Sequence, residues 1–193
     1  MPKKPWQPSI TFETLGDFVT EFNHETDRAA AILAASYLDH ELEVLLRAYM
    51  SANDELLYEL FKNDAPLGSF SAKIRTAYAL GLIPESDYID LNIIRGICNN
   101  FAHKLHGLSF ETDSIRDRCR NLRIPAKLME TGYMAATPSR ARDYFVTSFG
   151  FLAFTLQLRR VEALGKRPAP AEEYYDQVPP FNESDNDDQP GSK

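Results

Sequence analysis

Within LNIIRGICNNFAHKLHGLSF, Arg95, Asn99 and His103 recur at four-residue steps. On an α-helix turning about 100° per residue, such steps drift by only about 40°, so the three side chains form one slanted polar row. A guanidinium binds phosphate oxygens, and an imidazole exchanges protons near neutral pH. The row has the parts to hold a phosphate or to polarise a ribose hydroxyl. The competing reading is structural: His103 bonds a carbonyl at the end of its helix, while Asn99 and Arg95 satisfy loop backbone. Ile93, Ile97 and Phe101, with Leu91 and Ile94 beside them, supply the apolar side of the same helix.

A second chemistry-bearing stretch is SIRDRCRNLRIPAK, where Arg116, Arg118, Arg120, Arg123 and Lys127 face only Asp117. This local basic surplus is the candidate nucleic-acid surface, because backbone phosphates attract clustered cations whatever the base sequence. Asp27 and Asp39 on one predicted helix, with Lys73 and Arg75 on another, are candidate ion-pair partners that would fix helix register. The neighbouring carboxylates Asp39, Glu41 and Glu43 do not converge, since Glu41 points away from the other two, and they read as solvated surface. Glu21 and His24 form the sole Glu-x-x-His spacing, where a di-iron bundle wants two. No metal site and no cofactor are expected.

These residues need helices to position them. Apolar residues recur at three- and four-residue spacing from Thr11 to Gly165, and alternating strand patterns are nearly absent. The fold class is therefore all-α: a single-domain antiparallel helical bundle. A first helix fits TFETLGDFVTEFN, with Phe12, Leu15, Val19 and Phe22 as its stripe. A second spans about 26–50 behind an alanine-rich start that admits a close neighbour, and DELLYELF forms a short third. Ser69 or Ser71 caps the next helix and Gly81 ends it. Pro84 suits the first turn of the helix that carries the polar row, and Gly107 closes that segment. A basic helix follows over ETDSIRDRCRNL, Pro125 to Pro138 reads as an irregular connection, and a last helix over about 139–164 is apolar on most sides and should be buried. The domain organisation is an N-terminal extension over 1–10, the bundle over 11–165, and a disordered acidic tail over 166–193.

The formal charge of −7 over 193 residues is concentrated in that tail. Glu172, Glu173, Asp176, Glu183, Asp185, Asp187 and Asp188 stand there against Lys193, so the body is nearly neutral. A neutral body has no global field to draw in nucleic acid, which makes such binding weak and local. IPAKLMETGYMAA does not supply the polar second helix of a helix-turn-helix. Cys98 and Cys119 form no CxxC pair, and YFVTSFGFLAFTLQL falls short of the roughly 18 apolar residues a span requires. A cytoplasmic protein without a membrane segment is expected.

Three strings, DRAAAILAASYLDHELEVLL, APLGSFSAKIRTAYALGLI and LNIIRGICNNFAHKLHGLSF, resemble the mannitol operon repressor family over roughly Phe12 to Leu122. The resemblance implies an all-helical regulator of transcription that works through protein–protein contacts. The third string is also similar to the motif of HEPN domains, helical proteins that include metal-independent ribonucleases. That likeness implies the alternative of an RNA-binding protein or endoribonuclease in which His103 is general base, Asn99 orients substrate and Arg95 stabilises phosphate. It also implies a homodimer. Asn99 and His103 match the HEPN pattern, but the position of its arginine falls on Cys98, which carries no permanent charge.

Overall fold

The computed structural model describes residues 20, 22, 24–50, 53–104 and 106–172. Seven helices occur among them: α1 (Asp27–Tyr49), α2 (Asp54–Phe61), α3 (Phe70–Ala79), α4 (Glu85–His103), α5 (Asp113–Arg120), α6 (Ile124–Glu130) and α7 (Ala141–Gly165). No strand occurs among the described residues. The expected first helix lies mostly outside them, although Thr20, Phe22 and His24 are helical. Residues 173–193, most of the segment read as a tail, also lie outside.

Local chemistry sets the helix ends. The side chains of Thr26, Asn53 and Ser69 accept hydrogen bonds from the backbone N–H of Ala29, Leu56 and Ala72, each occupying a donor that the first turn leaves open. At the end of α3, Gly81 adopts φ 68°, and the Leu82 N–H returns to the Ala77 carbonyl at 2.9 Å. That six-to-one bond, with a left-handed residue before it, is a Schellman stop.

α1 lies at the centre, packing most extensively against α7 and also against α4 and α3. Ala30, Ala31, Ala34 and Ala35 are buried along its first half, where small side chains let the neighbouring backbones approach. Leu38, Leu42 and Leu45 of α1 meet a core that includes Ile94, Ile97 and Phe101 of α4 and Phe145, Phe149, Leu152 and Leu156 of α7. Each such side chain removed from water contributes about 1.5–3 kcal/mol before entropy is charged. Phe22 is also buried, its ring stacked on Phe149 with centroids 4.7 Å apart.

Two readings of the elements need correction. The span from Pro125 to Pro138 is not wholly irregular, because α6 occupies Ile124–Glu130 with Pro125 in its first turn. Proline is tolerated there, where its missing N–H has no helical partner to lose. The Asp90 carboxylate fills the remaining need, accepting from the N–H groups of Arg123 at 2.9 Å and Ile124 at 2.9 Å. The last helix is also less enclosed than its composition suggests: Phe154, Leu158, Val161 and Leu164 are exposed along α7.

Candidate functional site

α4 carries the polar row, and its apolar face fixes the direction in which that row points. With Leu91, Ile94, Ile97 and Phe101 fully buried, Arg95 and Asn99 turn toward an open cavity of about 340 Å³. Ser36 and Asp39 of α1, Ser69 and Ser71 at the start of α3, and Cys98 complete its polar wall. The Arg95 guanidinium is half-buried, 3.5 Å from the Asn92 side-chain oxygen, and its Nε is closed off without a hydrogen bond. Asn99 is exposed. His103, one turn later, is exposed as well and does not line the cavity. The sequence row therefore divides: two members share a cavity wall and the third stands outside it.

The surrounding charges limit the chemistry of this wall. Burial pushes the Cys98 thiol above its ordinary value, so it remains a neutral thiol near pH 7 and cannot stand in for a guanidinium. Burial likewise raises the Asp39 carboxyl, while Lys73 pulls it back. Lys73 is buried and lies 3.0 Å from both Asp39 and Glu43, which commits Asp39 to an ion pair. His40, next along α1, is held below the ordinary imidazole value chiefly by burial. The wall thus offers a cation, an amide and hydroxyl groups, which suit a polar or anionic group, but no unpaired general base.

A second guanidinium reaches α4 from α5. A side chain at Gly96 would place its Cβ 2.7 Å from Arg118 Nη1, so the absence of that carbon is what lets Arg118 lie across the helix. Sequence reading grouped Arg118 with the other cations of its segment. Arg116 pairs with Asp113 at 2.5 Å, Arg120 and Arg123 are exposed, and Lys127 lines a different cavity beside the start of α4.

The end of α4 is held by a residue the sequence did not single out. Arg28 donates through Nη1 to the Phe101 carbonyl and through Nη2 to the Lys104 carbonyl at 2.6 Å. These carbonyls are among those a helix leaves open at its C-terminus, where positive charge is also favoured. Asp27 accepts from the Phe110 N–H at 2.9 Å and pairs with Arg142 at 2.7 Å. Of the four ion-pair candidates, then, Lys73 and Asp39 meet. Asp27 is instead taken by Arg142, and Arg75 hydrogen-bonds the Ser71 carbonyl at 3.2 Å. Adjacency to an alanine-rich run gave no sign that Arg28 and Asp27 would reach so far along the chain.

Glu41 departs furthest from its sequence reading. It is 1% exposed rather than solvated, lying near Tyr37 and Arg160. Tyr37 in turn accepts a 2.7 Å hydrogen bond from Gln157 of α7. Burial lifts the Glu41 carboxyl from 4.5 to about 7 despite the nearby Arg160. Among the described residues, no cluster of three or more His, Cys, Asp or Glu side chains could hold a metal ion, and no helix is long and apolar enough to cross a membrane.

Residues 18–166 match the family model described as Mannitol repressor. The fold is similar to that of MtlR in the X-ray structure of the MtlR–HPr complex from Escherichia coli, with a TM-score of 0.60 and 18% identity over 75% of this chain and 98% of that one. A possible transcriptional regulator, YggD from Shigella flexneri, gives a TM-score of 0.54 and 16% identity, covering 84% of this chain and 100% of the other. Comparison with curated proteins gave no match.

Proposed function

The chain belongs to the mannitol repressor family, and from that membership we propose that it is a bacterial transcriptional regulator acting through protein–protein contacts rather than through a DNA-reading helix of its own. The match across residues 18–166 is the observation that carries this reading, because it spans the whole described bundle. The charge distribution supports it, since the body is nearly neutral. So does α6, a seven-residue helix whose first two residues, Ile124 and Pro125, are buried. Seven residues span only about 10 Å, short for a helix that must lie along a major groove. The E. coli relative was solved with HPr, and an HPr-like protein is the partner proposed for this chain. This reading puts the protein in the cytoplasm, and the HEPN likeness adds a homodimer to it.

Calorimetry of the full-length protein with HPr from the same host tests the partner. A stoichiometric, saturable heat is expected. No heat with HPr, together with sequence-selective retention of promoter DNA at physiological salt, would replace this reading with direct operator binding. Light scattering tests the dimer, which requires twice the chain mass of 21.9 kDa.

The shared cavity wall of Arg95 and Asn99 favours a second reading, a HEPN-type RNA-binding protein; its metal-independent endoribonuclease form would need His103, which stands outside that wall. Incubation with mixed RNA in EDTA separates the two. Cleavage that vanishes in His103→Ala would select the enzyme, and intact RNA would leave the regulator.

A further inference from the structure

A second cavity, of about 290 Å³, opens where the start of α4 meets α6 and α7. Most of its wall is hydrocarbon or aromatic: Pro84, Ile124, Leu128 and Phe151, with the Tyr133 ring at its edge. Tyr133 is 83% exposed and follows Gly132, whose φ of 77° turns the chain there. Three charged side chains converge on this apolar space: Asp87, Lys127 and Arg159.

Asp87 is the decisive residue. It is 3% exposed, yet its Oδ2 has no hydrogen bond, and its ion pair with Arg159 Nη2 is long at 3.5 Å. Its other oxygen accepts only a 3.3 Å bond from the Ser86 hydroxyl. Arg159 Nε is likewise buried without a partner. Burial raises the Asp87 carboxyl, and Arg159 and Lys127 draw it back toward the charged form. With one long ion pair and one long hydroxyl contact, the buried carboxylate is short of donors, and a further donor would be favoured there. The three groups together carry one net positive charge, so the complementary molecule brings a hydrogen-bond donor for Asp87 and an anionic group for Lys127 and Arg159. The apolar walls need a ring or branched hydrocarbon between those ends.

We propose that this cavity is a small-molecule site for an aromatic hydroxy acid, its ring between Leu128 and Phe151, its hydroxyl donating to Asp87 and its carboxylate held by Lys127 and Arg159. A pocket of this volume, at the small end of ligand sites, suits a single-ring compound of roughly ten to twelve non-hydrogen atoms. The site is independent of the protein partner proposed above, since it stands on the cavity alone.

The test titrates the full-length protein with 4-hydroxyphenylacetate, followed by saturation-transfer NMR and calorimetry. A Kd of about 0.1–1 mM is expected for a ligand of this size. Phenylacetate, which lacks the hydroxyl, and p-cresol, which lacks the acid, should each bind about tenfold more weakly. Lys127 is exposed, so Lys127→Gln should fold normally and weaken both acids about tenfold while leaving p-cresol unchanged. Leu128→Trp, checked by circular dichroism for an intact fold, should fill the space and abolish binding. The proposal is overturned if none of the three compounds binds saturably up to about 10 mM. It is also overturned if the three bind equally, or if 4-hydroxyphenylacetate binds Lys127→Gln as it binds the natural protein.

Discussion

Replacing Glu41 by glutamine should make the protein more stable at pH 8 and much less so at pH 5. The carboxyl is 1% exposed and is lifted from 4.5 to about 7, mainly by burial. Because the folded-state value lies above the unfolded one, the native protein holds this proton more tightly than the unfolded chain. The associated stability is fully present below about pH 4.5, declines as pH rises toward and through about 7, and is absent above that. One pKa unit corresponds to about 1.4 kcal/mol, so after an allowance for solvent screening the span is about 2–3 kcal/mol. Glutamine keeps the shape and cannot ionise, so the variant escapes the loss. For a domain of this size the gain at pH 8 is a melting temperature higher by roughly 5–10 °C.

Thermal melts of both proteins from pH 4.5 to 8.5 give the assay, and the difference curve is the quantity to read. His40, held low by burial, contributes the opposite slope, while half-buried Asp39 and buried Asp87 and Asp90, all raised, contribute the same sign as Glu41. These groups are common to both proteins and cancel in the difference. If the variant differs from the natural chain by the same amount at pH 5 and pH 8, Glu41 does not carry the buried proton and the reasoning fails.

Three further substitutions bear on the polar framework. Lys73→Met removes the cation between Asp39 and Glu43 and should cost about 2–4 kcal/mol in urea unfolding, with an unchanged midpoint contradicting the buried pairing. Asp90→Ala strips the acceptor from the N–H groups of Arg123 and Ile124, and should cost about 2–4 kcal/mol with faster amide exchange at Ile124; continued protection of that amide would show another acceptor at work. Arg28→Ala should cost about 1–3 kcal/mol, whereas His103→Ala should stay within about 0.5 kcal/mol, and the reverse order would restore His103 as the residue that ends α4.

The helices were largely legible in the sequence because their signals are local. Ser69 and Gly81 bound α3 through bonds reaching only a few residues along the chain. α6 was missed for the opposite reason: Pro125 looks like a break until Asp90, far back in α4, is found accepting from the two amides that start the helix. Glu41 reads as surface when its position on α1 is set against Asp39 and Glu43 alone. Its burial depends on α7, which lies against α1 only after the chain has folded. Arg28 and Asp27 fall in the same class, as their partners are at Phe101, Lys104, Phe110 and Arg142.

The polar row of α4 shows how far a periodic pattern carries an argument about chemistry. Four-residue spacing correctly turns Arg95 and Asn99 toward one cavity, but the drift accumulated over two turns, together with the end of the helix, leaves His103 outside the wall. A general base must reach the proton it abstracts, so alignment along a helix is not sufficient for catalysis. Meanwhile Arg118 comes over Gly96 from a helix whose cations had been read as one surface patch. The space it occupies is one that a Cβ at position 96 would crowd. α4 is therefore met by guanidinium groups at two places, Arg95 in the cavity wall and Arg118 over Gly96, while its imidazole stands outside that wall.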